Sequence, residues 1–76
     1  MKEILETIIL NLVENKEAVE IKEKQEDKKI VFEVKVAKED MGKIIGKQGR
    51  LAKSIRTVMK SVAGKENKKV TVEFDG

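Results

Sequence analysis

The chain opens on an apolar pattern of helical period. Ile4, Leu5, Ile8, Ile9, Leu12 and Val13 recur in pairs one turn apart, the stripe of an amphipathic helix expected over residues 2–14. The period then changes to two. Val19 and Ile21 alternate with Glu20 and Lys22, and Ile30, Phe32, Val34 and Val36 alternate with Val31, Glu33, Lys35 and Ala37. Two strands are expected, over 19–25 and 29–37, and the short polar link between them predicts an antiparallel hairpin. Helical spacing returns with Met41, Ile44 and Ile45 in a short helix over 39–45, weakened by Gly42. It is interrupted at "GKQG", Gly46 to Gly49, and resumes from Arg50 to Ala63. There Leu51, Ile55, Val58 and Val62 make the expected core stripe, with Ala52, Met59 and Ala63 beside it and Gly64 as C-terminal cap. "NKKVTVEF" closes the chain as a strand with Val70, Val72 and Phe74 on one side.

The predicted order is α-β-β-α-α-β, an α+β fold of two layers in which three helices cover one face of a three-stranded sheet. The last strand follows a helical crossover from the second, so those two are expected to be parallel, with the second strand central in a mixed sheet. Phe32 and Phe74, the two aromatics, fall at strand spacing and are expected in the core. With 76 residues and no repeats or linkers, residues 1–76 are expected to form one domain with a small core.

Composition narrows the chemistry. The chain has no Cys and no His, so disulfides, thiolate metal sites and the usual general base are missing. No metal site, cofactor or catalytic residue is expected, and the protein is not expected to be an enzyme. No apolar run reaches the roughly 18 residues of a membrane span, and Glu3 and Glu6 interrupt the first apolar segment where a signal peptide would be continuous. A cytoplasmic protein is expected. The net charge of +3 hides an asymmetry: residues 1–37 carry 7 basic and 9 acidic groups, residues 38–60 carry 7 and 2, and residues 61–76 carry 3 of each. The excess positive charge surrounds the glycine break, the footprint of a polyanion binder.

The break itself admits three readings. A Walker loop needs four residues between its glycines and a Ser or Thr after the lysine; Gly42 and Gly46 are separated by three, and Gln48 follows Lys47, which excludes it. The dinucleotide pattern is absent as well. Two glycines also suit a simple chain reversal between helices. Finally, they let a sugar-phosphate backbone approach the main chain, beside the positive end of the helix that starts near Arg50. The residues leave these last two readings open.

"IIGKQGRLAKSI" resembles the KH-domain signature, I-G-x-x-G followed by an apolar helix. The α-β-β-α-α-β order is similar to the type II KH topology. "GKIIGKQGR", "SIRTVMKS" and "KKVTVEF" in these places resemble the bacterial KhpA family of small RNA-binding proteins over essentially the whole chain. The resemblance implies single-stranded RNA, with the loop clamping the backbone of about four nucleotides at low sequence specificity. It assigns Gly46 and Gly49 to the two loop glycines and Lys47 and Gln48 to the pair facing the RNA backbone. Ile45 becomes the apolar residue beside the groove, and Arg50 and Lys53 line the entrance. Met41, Lys43 and Ile44 are candidate groove residues. Lys38, Arg56 and Lys60 are expected to act through long-range attraction. The family implies post-transcriptional regulation or RNA chaperoning with a partner, as a homodimer or a heterodimer with a larger KH-containing protein. The competing expectation is a protein-interaction scaffold in cell-division, cell-shape or envelope control, with weak RNA binding.

Overall fold

A computed structural model describes residues 1–75. Helix α1 (Lys2–Leu12) leads through a short 3-10 turn (Lys16–Ala18) into strands β1 (Glu20–Glu26) and β2 (Lys29–Lys35); a helical element α2 (Lys38–Lys65) and strand β3 (Lys69–Asp75) follow. The sheet order is β1-β2-β3. β1 pairs antiparallel with β2 through a two-residue turn in which Asp27 takes a left-handed φ of 54°, the conformation a tight hairpin demands. β2 pairs parallel with β3. The mixed sheet with a central second strand is therefore as expected.

The helices expected over 39–45 and 50–63 are joined as the two arms of the kinked element α2, so the element order is written α-β-β-α-β. Within α2 only Gly46, Lys47, Gln48 and Gly49 leave helical dihedrals. The reversal occupies four residues, so the arms on either side meet without an intervening segment.

Other boundaries shift for identifiable reasons. α1 stops at Leu12 and not at 14, because the next two free N–H groups, of Glu14 and Asn15, donate to the two carboxylate oxygens of Asp40 at 3.0 and 3.1 Å. β2 stops at Lys35, and Ala37 becomes the N-cap of α2, its carbonyl accepting the Met41 N–H at 2.8 Å. Gly64 is not the C-terminal cap. Asn67 takes the left-handed position (φ 57°), its N–H donates to the Gly64 carbonyl, and the Lys68 N–H donates to the Ala63 carbonyl at 2.9 Å. That is a Schellman closure with Asn in the place usually held by glycine.

The core lies between one sheet face and the two helices. Ile21, Ile30, Phe32, Val34, Val70 and Val72 pack against Leu5 and Ile9 of α1 and against Met41, Ile44, Ala52, Ile55, Met59 and Ala63 of α2. The buried stripe of α2 is thus rotated from the expected one. Ile55 is common to both, but Val58 is 43% exposed and Leu51 and Val62 lie at the margin. Small Ala52 and Ala63 set the spacing, letting the helix lie close to the sheet and bringing Met59 to full burial. Phe32 is fully buried, whereas Phe74 is only partly so.

Candidate nucleic-acid interface

Two fastenings orient the first arm of α2. Asp40, at 4% exposure, accepts the Glu14 and Asn15 N–H groups as described. Those hydrogen bonds, the Glu14 one foremost, hold its carboxyl below the ordinary carboxylate value. Burial pulls the other way, and the Lys43 charge adds to the lowering. One turn on, Lys43 Nζ donates to the Leu12 carbonyl at 3.2 Å, at the C-terminal end of α1. In the sequence Asp40 is one acid among basic neighbours. Neither fastening is legible there, since both join residues 25 or more apart.

The arm so held ends in the glycine turn. Gly46 is extended (φ −61°, ψ 171°), and Lys47, Gln48 and Gly49 are all left-handed, with φ of 53°, 63° and 70°. For Lys47 and Gln48 this conformation costs on the order of 1 kcal/mol each. All three residues Gly46, Lys47 and Gln48 are exposed. A shallow concavity lies over Lys47, Gln48 and Arg50. From Met41 to Lys65 there is no acidic residue, while Lys43, Lys47, Arg50, Lys53, Arg56, Lys60 and Lys65 are basic.

The structure separates the residues singled out from the sequence. Ile45 is 48% exposed beside the turn, and Arg50 and Lys53 are exposed on the first turn after it. Ile44 and Met41 point the other way, at 1% and 7% exposure, into the core. The candidate groove residues are therefore divided: two belong to the packing, and Lys43 is occupied at the Leu12 carbonyl.

A second concavity has no local signature in the sequence. It lies between α2 and β3, lined by Arg56, Lys60, Val70, Thr71 and Val72. Arg56 does more than attract at long range. Its Nε donates to the Val72 carbonyl at 3.1 Å, and its guanidinium lies 5.4 Å from the centroid of the Phe74 ring. The alternation of β3 was legible; that its outer edge would meet α2 was not.

A three-stranded mixed sheet under two helices, the second broken by a G-x-x-G turn with basic flanks, is the architecture of a KH domain. The family model described as "KhpA/KhpB, KH domain" matches residues 2–74, and the chain belongs to that family. It is 56% identical to the RNA-binding protein KhpA of Clostridium acetobutylicum, covering 97% of this chain and 99% of that one. It is 52% identical to the protein of the same name from Chlamydia trachomatis, covering 97% and 95%. The Listeria monocytogenes KhpA is 42% identical, with 97% of each chain covered. No solved structure matches at a significant level.

Proposed function

We propose that residues 1–76 act as one type II KH domain that binds single-stranded RNA at the Gly46–Gly49 turn. Counting the arms of α2 as two helices restores the α-β-β-α-α-β order of that type. The observation that carries the reading is Gly46. Its φ of −61° is open to any residue, and a Cβ built there meets nothing within 4 Å. Neither the backbone nor the packing of this chain calls for glycine at 46. A sugar-phosphate backbone passing against the main chain does. Gly49 differs, because its φ of 70° favours glycine on conformational grounds alone.

Lys47, Arg50 and Lys53 supply the phosphate contacts in this reading, aided by the positive end of the second arm. Gln48 faces the RNA backbone beside Lys47, and Ile45 offers apolar contact at the loop's entrance. The acid-free stretch from 41 to 65 leaves no local repulsion of a polyanion. The relatives' name, RNA-binding protein, agrees with this assignment. The strand would leave the turn along α2 toward the Arg56–Val72 groove. No cofactor and no catalytic step enter the proposal. The protein would act in the cytoplasm on RNA fate, post-transcriptionally or as a chaperone. Its partner would be a second copy of itself or a larger KH-containing protein. No helix among the described residues is long and apolar enough to cross a membrane.

One observation favours a second reading, a protein-interaction scaffold in cell-division or envelope control. Val58 is 43% exposed between the half-buried Leu51 and Val62, an apolar strip suited to another protein surface. Fluorescence anisotropy with a short mixed-sequence RNA at two salt concentrations separates the readings. Affinity is expected to fall steeply with salt, because phosphate contacts release counterions, and to drop at least about tenfold in Lys47→Asp/Gln48→Asp. Binding that is absent, or unchanged in a folded double variant, would hand the function to the apolar strip.

A further inference from the structure

Arg56 is held in a way that phosphate attraction alone does not require. A phosphate-seeking arginine on an exposed helix face needs freedom to follow its target. This one is pinned twice, by its Nε on the Val72 carbonyl and by its guanidinium over the Phe74 ring. β3 is an edge strand paired only with β2, so the Val72 carbonyl bonded by Arg56 belongs to the strand's unpaired side. The pinning uses Nε and leaves the two terminal nitrogens without a partner among the described residues. Arg56 borders a groove whose other lining residues are Lys60, Val70, Thr71 and Val72. Arg56 also lies six residues beyond Arg50, about 9 Å along the helix axis. That is within reach of a strand of about four nucleotides gripped at the turn.

A guanidinium has donors and no acceptor, in a planar fork of fixed geometry. Held rigidly at an apolar groove, such a fork is a reader of base edges. We propose that Arg56 makes this groove select a base that presents two adjacent acceptors, over adenine and uracil. Guanine offers O6 with N7, and cytosine offers O2 with N3. Adenine sets its amino donor next to both N1 and N7, and uracil places an N–H between its two carbonyls, so neither matches a donor-only fork. The Val72 carbonyl and the Phe74 ring keep the fork from turning. The inference rests on the RNA reading of the Gly46–Gly49 turn and adds base selection to a contact that otherwise reads only backbone.

The test is anisotropy with four short uridine-tract RNAs that differ only in a central pair: UU, AA, GG or CC. The wild type is expected to bind the GG or the CC RNA about tenfold more tightly than AA and UU, the order of one bidentate base contact. The better of those two identifies the base. Arg56→Lys keeps the charge but loses the fork, and is expected to bind all four within about twofold of one another. Arg56→Gln serves as the second variant, and thermal melts establish that both fold. Lys47→Asp/Gln48→Asp is expected to weaken all four RNAs alike. Equal binding of all four by the wild type, still dependent on salt and on the turn, overturns base selection and leaves the RNA reading intact. A preference that survives in both Arg56 variants assigns it to another group and overturns the proposal too. Loss of turn-dependent binding to every RNA removes the RNA reading and this inference with it.

Discussion

The protein has two faces with similar numbers of cations and opposite electrostatic character. The uncovered face of the sheet carries Lys22, Lys24, Lys29, Lys35 and Lys69, but Glu20, Glu26, Glu33, Glu73 and Asp75 share it, by the pairing register of the three strands. Opposite signs meet between β1 and β2, where Glu20 lies beside Lys35, Lys22 beside Glu33 and Glu26 beside Lys29, while β2 and β3 place Lys35 beside Asp75 but also Glu33 beside Glu73 and Lys29 beside Lys69. Lys24 and Glu33 approach to 3.7 Å, both exposed, a contact worth at most about 1 kcal/mol. Such a face is neutral beyond a Debye length of about 8–10 Å. The α2 side holds Lys47, Arg50, Lys53, Arg56 and Lys60 with no acid among them. What distinguishes the α2 side, the proposed RNA surface, is the exclusion of acids, and not the number of lysines.

The sharpest way to break that comparison is to invert charge on each face in turn. Lys47→Asp/Gln48→Asp at the turn is expected to lower RNA affinity by at least about tenfold at low salt, and to flatten its salt dependence, since phosphate contacts set that slope. Lys22→Asp/Lys24→Asp is a comparable change on the sheet face, and is expected to move affinity by no more than about twofold. Equal losses from the two, measured in one anisotropy series, would mean that overall charge governs binding.

On the proposed reading, the two glycines of the turn divide folding from binding. Gly49→Ala puts a Cβ on a left-handed residue and is expected to cost about 1 kcal/mol of stability in urea unfolding. Gly46→Ala meets open space at an ordinary φ. It is expected to leave the unfolding midpoint unchanged while weakening RNA binding. A Gly46→Ala protein that binds as well as the wild type would remove the main support for backbone approach at 46.

Asp40 tests how the arm before the turn is held. Its folded-state pKa is lowered, so the stability it contributes is present in full above the ordinary Asp value of about 3.9. That contribution is lost as pH falls through the lower folded value. Asp40→Asn can accept at only one oxygen and is expected to lower Tm at neutral pH. Its melting temperature should also depend less on pH below about 4 than the wild type's does. Smallest of all, Gly42 sits in regular helix with open space around its missing Cβ. Gly42→Ala is expected to raise stability by about 0.5–1 kcal/mol, read from the urea midpoint.

Much of the architecture was legible along the chain because it rests on local periodicity. The alternation from Ile30 to Val34 and from Val70 to Phe74 depends only on the two-residue repeat of a strand, and the crossover between them makes the pair parallel. The turn was legible because "GKQG" breaks a helical pattern amid cations. The facing of α2 was not legible. Leu51, Val58 and Val62 are better hydrophobes than Ala52 and Ala63, yet the alanines are buried, because close helix–sheet contact rewards small volume over hydrophobicity. Ile44 and Ile45 look equivalent in the sequence; one is in the core and the other stands at 48% exposure beside the turn. Arg56 looked like one more surface cation until β3 came alongside it.

The sequence by itself determined the elements, the topology of the sheet, the place of the turn and the segregation of acids away from residues 41–65. These follow from repeat period, glycine and charge order, which are properties of neighbours in the chain. Only the tertiary structure decided which side of α2 is buried, that Asp40 fastens the end of α1, and that Arg56 bridges α2 to the open edge of β3. Each of these joins residues 16 to 26 positions apart or depends on how closely two surfaces pack. No local pattern carries that information, because distant partners and packing distances come into being only when the layers close.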